Sequence, residues 1–118
     1  MEKKRSDRVA DEIKFEMSEI LRRNIKDPRI GFVTITRVMV SNDLKKSDIY
    51  FSILGTPEQK RSAFEGLMHA KSFLRRELAQ RLRIKAIPAL RFFLDEGISQ
   101  VDRIDFLLHQ IKQGQNDE

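Results

Sequence analysis

Residues 32–54, FVTITRVMVSNDLKKSDIYFSIL, predict a β-hairpin around which the rest of the chain is organised. Phe32 to Val40 is rich in β-branched residues, and Asp48 to Leu54 alternates apolar with polar side chains, so each stretch is typical of a strand. Ser41-Asn42-Asp43 begins a turn, and the short connection favours antiparallel pairing. Because the first stretch changes parity at Thr36-Arg37, we expect a bulge there.

The segment before the hairpin predicts one amphipathic helix. We expect Ser6 to be its N-cap, and we expect the helix to end by about Lys26 because Pro28 cannot continue it. Apolar residues recur every three or four positions in this segment and form a single stripe that would face the core. The stripe consists of Val9, Ile13, Met17, Ile20 and Leu21.

The segment after the hairpin begins with a strong helix signal. In Thr56-Pro57-Glu58-Gln59, the first and last residues can form a capping box, and proline suits the first turn. The helical pattern continues to about Arg83. Its apolar stripe contains Leu67, Leu74, Leu78 and Leu82, and it is broadened in the first half by Phe64 and Met68.

Two basic residues interrupt that stripe. In an unbroken helix Lys71 and Arg75 would lie directly below the apolar residues of the first half. Either their long side chains extend past the core to water, or the helix breaks near Ala70 to Ser72. Periodicity does not decide between these two alternatives, since no proline or glycine marks the position.

A third strand and a last helix complete the pattern. Leu90, Phe92 and Leu94 alternate with other side chains and predict a strand. We expect a turn at Gly97 and then a C-terminal amphipathic helix whose apolar residues are Val101, Ile104, Leu107, Leu108 and Ile111. The whole is an α+β fold, a three-stranded sheet packed by helices. We expect residues 1–118 to form a single domain with flexible ends at 1–5 and 113–118.

Composition excludes several classes of function. The 118 residues include no cysteine and only two histidines, so thiolate zinc sites and a cysteine nucleophile are excluded. Neither phosphate-binding glycine motif is present. No apolar run approaches the roughly 18 residues that would span a bilayer, and charges after Met1-Glu2-Lys3-Lys4-Arg5 argue against a signal peptide. We therefore expect a cytoplasmic protein with no cofactor, no bound metal and no membrane partner.

Positive charge is concentrated in one part of the chain. Residues 60–91 carry nine Lys or Arg against two Glu, whereas residues 92–118 carry two basic and six acidic side chains. A basic segment of this kind attracts a polyanion through its field and through counterion release. We expect phosphate contacts from the central helical segment and from a basic N-terminal arm. The predicted RNA-binding residues are Lys3, Lys4, Arg5, Arg8, Lys71, Arg75, Arg76, Arg81, Arg83 and Lys85.

Other basic and aromatic residues give weaker signals. Lys45 and Lys46 lie in the predicted hairpin turn and are read as solvated turn residues. The eight phenylalanines lie mostly at core positions, which argues against a platform that stacks single-stranded bases. We expect recognition of shaped RNA through its backbone, with little readout of base sequence.

Several stretches resemble the ribosome-binding factor A family. The most distinctive is Asp27-Pro28-Arg29-Ile30-Gly31-Phe32-Val33, at the entry to the first strand. Further matching stretches are residues 5–10, 41–44, 49–52, 82–92 and 103–108, so that the resemblance covers about residues 5–111. The family has a helix-kink-helix with an Ala-x-Gly kink. Here the matching residues are Ala70-Lys71-Ser72, with serine where the family usually has glycine.

The resemblance implies a type II KH-like fold, α-β-β-α-kink-α-β, without the G-x-x-G loop of ordinary KH domains. It implies a monomeric, non-enzymatic assembly factor that binds the small ribosomal subunit or its precursor rRNA. It also implies a role in five-prime end processing and in the cold, with no small-molecule substrate.

Two other functions remain as alternatives. One is a general KH-like or DNA-binding regulator that binds free oligonucleotides. The other is a magnesium-dependent nuclease built on Asp95, Glu96, Asp102 and Asp105. Acids at a strand end and in the first turns of a helix, where the dipole favours them, are the better interpretation of that group.

Overall fold

The computed structural model describes residues 4–23, 28–30 and 32–95, and it shows the predicted α+β fold. Arg5, which was expected in a flexible end, is the first residue of α1. The predicted C-terminal helix and residues 1–3 and 113–118 of the predicted flexible ends lie outside the described residues. The elements are α1 (Arg5–Arg23), a short 3-10 helix (Pro28–Ile30), β1 (Val33–Val40), β2 (Lys46–Ile53), α2 (Pro57–His69), α3 (Lys71–Arg81) and β3 (Ala89–Leu94).

The sheet has the order β1-β2-β3. The first two strands form the predicted antiparallel hairpin, and the predicted bulge is confirmed by a register shift between Ile35 and Arg37. β3 pairs with β2 in parallel, because the chain crosses over through α2 and α3 before it returns. This element order is consistent with a type II KH fold, and the KH-like detail stays an expectation.

One face of the sheet packs against the helices. Ile49 and Phe51 of β2 are fully buried, together with Ile13 and Met17 of α1 and Leu78 of α3. The predicted α1 stripe is therefore confirmed at its centre. Side chains that alternate with these strand residues lie on the opposite face of the sheet.

The start of α1 differs from the prediction. Ser6 is not the N-cap, because it lies within the helix and is only 5% exposed. The backbone N–H of Lys4 instead donates a hydrogen bond to the Asp7 carboxylate (3.4 Å). A carboxylate in the first turn satisfies an N-terminal donor and interacts favourably with the helix dipole.

The central helical segment is two helices. Its predicted capping box is confirmed: the Gln59 N–H donates to Thr56 Oγ1 (3.1 Å), and the Thr56 N–H donates to Gln59 Oε1 (2.8 Å). The helix is interrupted at Ala70, which decides the question that periodicity left open. Met68, which was predicted to broaden the core stripe, is 44% exposed. The placement of Met68 in the stripe is therefore wrong.

Candidate RNA-binding surface

The hairpin turn is built to hold Lys45 in one place. The Asp43 carboxylate accepts hydrogen bonds from the Ser41 hydroxyl (2.7 Å) and from the Lys45 N–H (3.1 Å). These bonds, with that from Ser41 the stronger influence, hold the pKa of Asp43 below its ordinary value. Leu44 adopts a left-handed conformation with φ of 61°, which is uncommon for a leucine and reverses the chain. The backbone at Lys45 is thus fixed by its neighbours.

The start of β3 is joined to the same turn. The N–H of Ala89 donates to the carbonyl of Lys45 (2.8 Å), and the hydroxyl of the fully buried Ser47 donates to the carbonyl of Ala89 (3.1 Å). A hydroxyl buried in the core without such a partner would be costly. These two bonds therefore hold the first residues of β2 and the first residues of β3 side by side.

The interruption at Ala70 brings two cations towards that turn. Ala70 has φ of −84° and ψ of 0°, its N–H bonds to the Gly66 carbonyl (3.0 Å), and its own carbonyl accepts from the Leu74 N–H (2.9 Å). Both backbone groups of Ala70 are therefore satisfied at the break. Lys71 and Arg75 follow one helical turn apart and lie on one side of α3.

Lys71 is held against the sheet. Its ammonium lies 5.5 Å from the centroid of the Phe92 ring, which is a cation–π contact. The residue is half-buried, and its aliphatic stem covers part of the core edge while the charged end remains accessible.

A groove separates the start of α3 from the strand ends, and we name it the kink groove. It has a volume of about 560 Å³, and Lys45, Lys71 and Arg75 are among its lining residues. No carboxylate lies among its lining residues, which otherwise are Leu44, Ser72, Ala86, Ile87, Ala89 and Leu90. Three cations around an acid-free concavity suit the phosphates of a nucleic-acid backbone.

The remaining predicted cations of the central segment do not join this groove. Arg76 is exposed on α3. Arg81 Nη1 forms an ion pair with Glu16 of α1 (3.4 Å), and Arg81 Nε lies 4.0 Å from Glu77. Arg83 lies beside Arg81 in a second depression of about 420 Å³. That depression also contains Asp11, Glu12 and Glu16, so its charge is mixed rather than basic.

The other predicted residues belong to α1 and to the segment before β3. Lys4, Arg5 and Arg8 are exposed at the start of α1, and Lys85 is exposed in the segment before β3. Lys3 lies outside the described residues. Of the nine predicted residues that the structure describes, Lys71 and Arg75 are the two that line the kink groove.

Of the candidate nuclease group, Asp95 is the one member that the structure describes. The described residues include no cluster of three or more histidine or acidic side chains that could hold a metal ion. Asp95, the described member of the candidate nuclease group, accepts a hydrogen bond from the Thr36 hydroxyl (2.9 Å), at the bulge of β1. No helix in the described part of the chain combines the length and apolarity that a bilayer span requires.

Comparison with known proteins identifies the family. The family model for ribosome-binding factor A matches residues 5–108. The chain belongs to the ribosome-binding factor A family. A solution structure of a Thermotoga maritima protein described as a putative ribosome binding factor A is 39% identical, with a TM-score of 0.69, over 80% of this chain and 91% of that one.

Two Thermus thermophilus structures of ribosome-binding factor A are also similar. A crystal structure is 25% identical with a TM-score of 0.67, and the match covers 75% of this chain and 93% of that one. A homology model fitted into a cryo-electron microscopy map of a 30S complex is 26% identical with a TM-score of 0.61. That match covers 71% of this chain and 88% of the other.

Membership of the ribosome-binding factor A family bears on the kink and on one missed residue. The helix is interrupted at Ala70 although serine stands at position 72, so the interruption does not require a glycine there. Sequence reasoning treated Lys45 as a solvated turn residue, but the structure places it in the kink groove. The Asp43–Lys45 turn pattern was visible in the sequence, whereas the approach of α3 was not.

Proposed function

We propose that this protein is an assembly factor of the small ribosomal subunit. It binds the small subunit or its precursor through the rRNA backbone and supports rRNA maturation, including five-prime end processing and growth in the cold. Membership of the ribosome-binding factor A family supports this proposal. So does the similarity to a Thermus thermophilus relative that was fitted into a map of a 30S complex.

The observation that carries the proposal is the kink groove. Lys45, Lys71 and Arg75 converge there from the hairpin turn and α3. The contact with Phe92 holds the Lys71 ammonium before any ligand arrives, and the hydrogen bonds of the turn fix the backbone at Lys45. Binding of a phosphate at Lys71 therefore costs little side-chain ordering, and phosphates displace counterions and water.

In this proposal the protein acts without catalysis. It is a cytoplasmic monomer that holds an rRNA conformation until maturation is complete and then leaves. It uses no cofactor, metal, membrane or small-molecule substrate. The engagement of Asp95 by Thr36 favours a structural role for that carboxylate over the alternative of a magnesium nuclease. The absence of a G-x-x-G loop from the sequence disfavours the alternative of a general KH-like regulator.

The test is co-sedimentation of the purified protein with isolated small subunits, large subunits and whole ribosomes. Wild-type protein is compared with the double variant Lys71→Gln and Arg75→Gln. The matched control is Arg23→Gln with Arg61→Gln, which removes the same charge from exposed positions outside the groove. Each measurement is repeated between about 50 and 200 mM salt, where phosphate contacts weaken steeply.

We expect selective binding of the wild type and the control to small subunits. In the groove variant the slope of log affinity against log salt should become shallower by about 1.4 to 1.8, since two phosphate contacts are lost. Equal, salt-labile binding of the wild type to every particle would overturn the proposed function. If binding is selective but the salt slope of the groove variant equals that of the wild type, the phosphates are bound outside the groove.

A further inference from the structure

The outer face of the sheet, opposite the helices, carries a row of three packed side chains. Register places Arg37 of β1 opposite Tyr50 of β2, and Tyr50 opposite Phe93 of β3. The Arg37 guanidinium lies 4.4 Å from the centroid of the Tyr50 ring. The Tyr50 and Phe93 rings are stacked with centroids 5.1 Å apart. Neighbouring strands lie about 4.8 Å apart, so the row spans about 10 Å.

A second arginine extends the row. The Arg91 guanidinium lies 5.2 Å from the centroid of the Phe93 ring, and its Nε lies 3.3 Å from Asp48 Oδ1. The side chain of Arg91 is nevertheless 56% exposed. Among the described residues, no carboxylate pairs with Arg37. The aromatic rings thus hold the guanidinium groups in place, and the groups keep free N–H edges.

The row presents donors rather than open rings. Tyr50 is only 9% exposed, because Arg37 and Phe93 cover its two faces. A base therefore cannot stack on it without displacing one of them. The accessible polar residues on this face are Arg37, Arg91, Lys46, Thr34 and Ser52, together with the partly exposed Asp48 carboxylate that pairs with Arg91. Guanidinium edges are well matched to phosphate oxygens, and hydroxyls bind phosphate and ribose.

The outer face is continuous with the kink groove. Lys45 lines the groove, and the next residue, Lys46, belongs to the outer face. In the same way Leu90 lines the groove and Arg91 belongs to the outer face. Ala89, which pairs with Lys46, also lines the groove. Both surfaces therefore meet at the starts of β2 and β3.

We propose that the outer face of the sheet is a second RNA-backbone site, in which Arg37, Lys46 and Arg91 bind phosphates. The RNA leaves the kink groove round the starts of β2 and β3 and continues across this face. The proposal rests on the proposed function. It explains how a small domain could hold an rRNA conformation: the strand is fixed on two sides of one sheet.

The first test compares salt dependence for small-subunit binding. The sheet variant is Arg37→Gln with Arg91→Gln, and the groove variant and the control are those defined above. Each of the three variants loses two positive charges, so a difference in slope between them reports local contacts and not net charge. We expect the slope of log affinity against log salt to become shallower by about 1.4 to 1.8 in the sheet variant and to stay unchanged in the control.

The outcomes separate this proposal from the proposed function. If the salt slope becomes shallower in the groove variant but keeps its wild-type value in the sheet variant, the second site is overturned and the proposed function stands. Failure of the wild-type protein to select small subunits overturns the proposed function itself. Urea denaturation shows whether the sheet variant is folded. If the sheet variant is not folded, the single variant Lys46→Gln tests the same face, because Lys46 touches no ring of the row. The expected change in its salt slope is about 0.7 to 0.9.

The second test identifies the class of partner at this face. Met39 lies opposite Asp48 on the outer face and is 51% exposed, so p-benzoylphenylalanine at position 39 projects towards any bound molecule. The labelled protein is irradiated on small subunits. Cross-links to rRNA support the proposal. Cross-links to ribosomal proteins alone, or none, overturn it.

Discussion

Gly55 separates β2 from α2, and its replacement tests how tightly this junction is built. Its φ is 142°, in a region that residues with a side chain rarely adopt. A Cβ at this position would lie 2.7 Å from Oε1 and 3.0 Å from Cβ of Gln59. That same Oε1 accepts the N–H of Thr56 in the capping box (2.8 Å). Gly55→Ala should therefore strain the backbone and break the cap at once.

The two costs can be estimated separately. Holding a non-glycine residue in such a conformation costs about 1 to 3 kcal/mol. Loss of a cap hydrogen bond costs about 1 kcal/mol. We therefore expect Gly55→Ala to lower the free energy of unfolding by about 2 to 4 kcal/mol, which for a chain of 118 residues corresponds to a drop in Tm of roughly 10 °C.

Urea denaturation of a double-mutant cycle measures both parts. Gln59→Ala removes the side chain that caps Thr56 and should cost about 1 kcal/mol. Gly55→Ala combined with Gln59→Ala keeps the backbone strain and the 3.0 Å approach to Cβ of residue 59, but it removes the conflict with Oε1. The double variant should therefore be less destabilised than the sum of the single variants, since both single changes break the same hydrogen bond.

Two results would refute this reasoning. A change of less than about 0.5 kcal/mol in Gly55→Ala would mean that the junction relaxes without strain, as at an ordinary surface position. Strict additivity in the cycle would mean that a Cβ at Gly55 does not disturb Gln59.

Two further predictions concern the elements that border the kink groove. Ser72→Gly should lower the free energy of unfolding by about 0.5 to 1 kcal/mol, because the exposed Ser72 lies in the first turn of α3 and glycine disfavours a helix. Urea denaturation measures this, and a gain in stability would show that the kink is strained. The lowered pKa of Asp43 means that its carboxylate stabilises the fold above its ordinary pKa of 3.8 and loses this effect as pH falls through the lower folded value. Asp43→Asn should therefore flatten the fall in unfolding free energy at acid pH, and an identical pH dependence in both proteins would contradict this account.

Features that depend on local chemistry were predictable from the sequence. The capping box at Thr56 and Gln59 was read correctly because both partners lie within one helical turn. The bulge was visible as a change of parity near Thr36, since side chains alternate strictly in a regular strand. The N-cap at Ser6 was wrong because an acidic side chain one residue later, Asp7, satisfies the first turn instead.

The candidate site was predictable only in part. Helical periodicity showed that Lys71 and Arg75 are charged residues at positions of the apolar stripe. It could not show that the break at Ala70 turns these two residues towards the hairpin. Arg81 was grouped with these cations because its charge is evident in the sequence. Its neutralisation by Glu16, 65 residues earlier in the chain, is not evident there.

The sequence by itself determined the strands, the capping box at Thr56 and the basic character of the central segment, because these follow from short-range periodicity and composition. Only the tertiary structure decided where that charge acts. The parallel crossover puts β3 beside β2, joins Ala89 to the hairpin turn and so brings Lys45 next to Lys71 and Arg75. Contacts between residues far apart in sequence arise from packing of the whole core, and no local pattern encodes them.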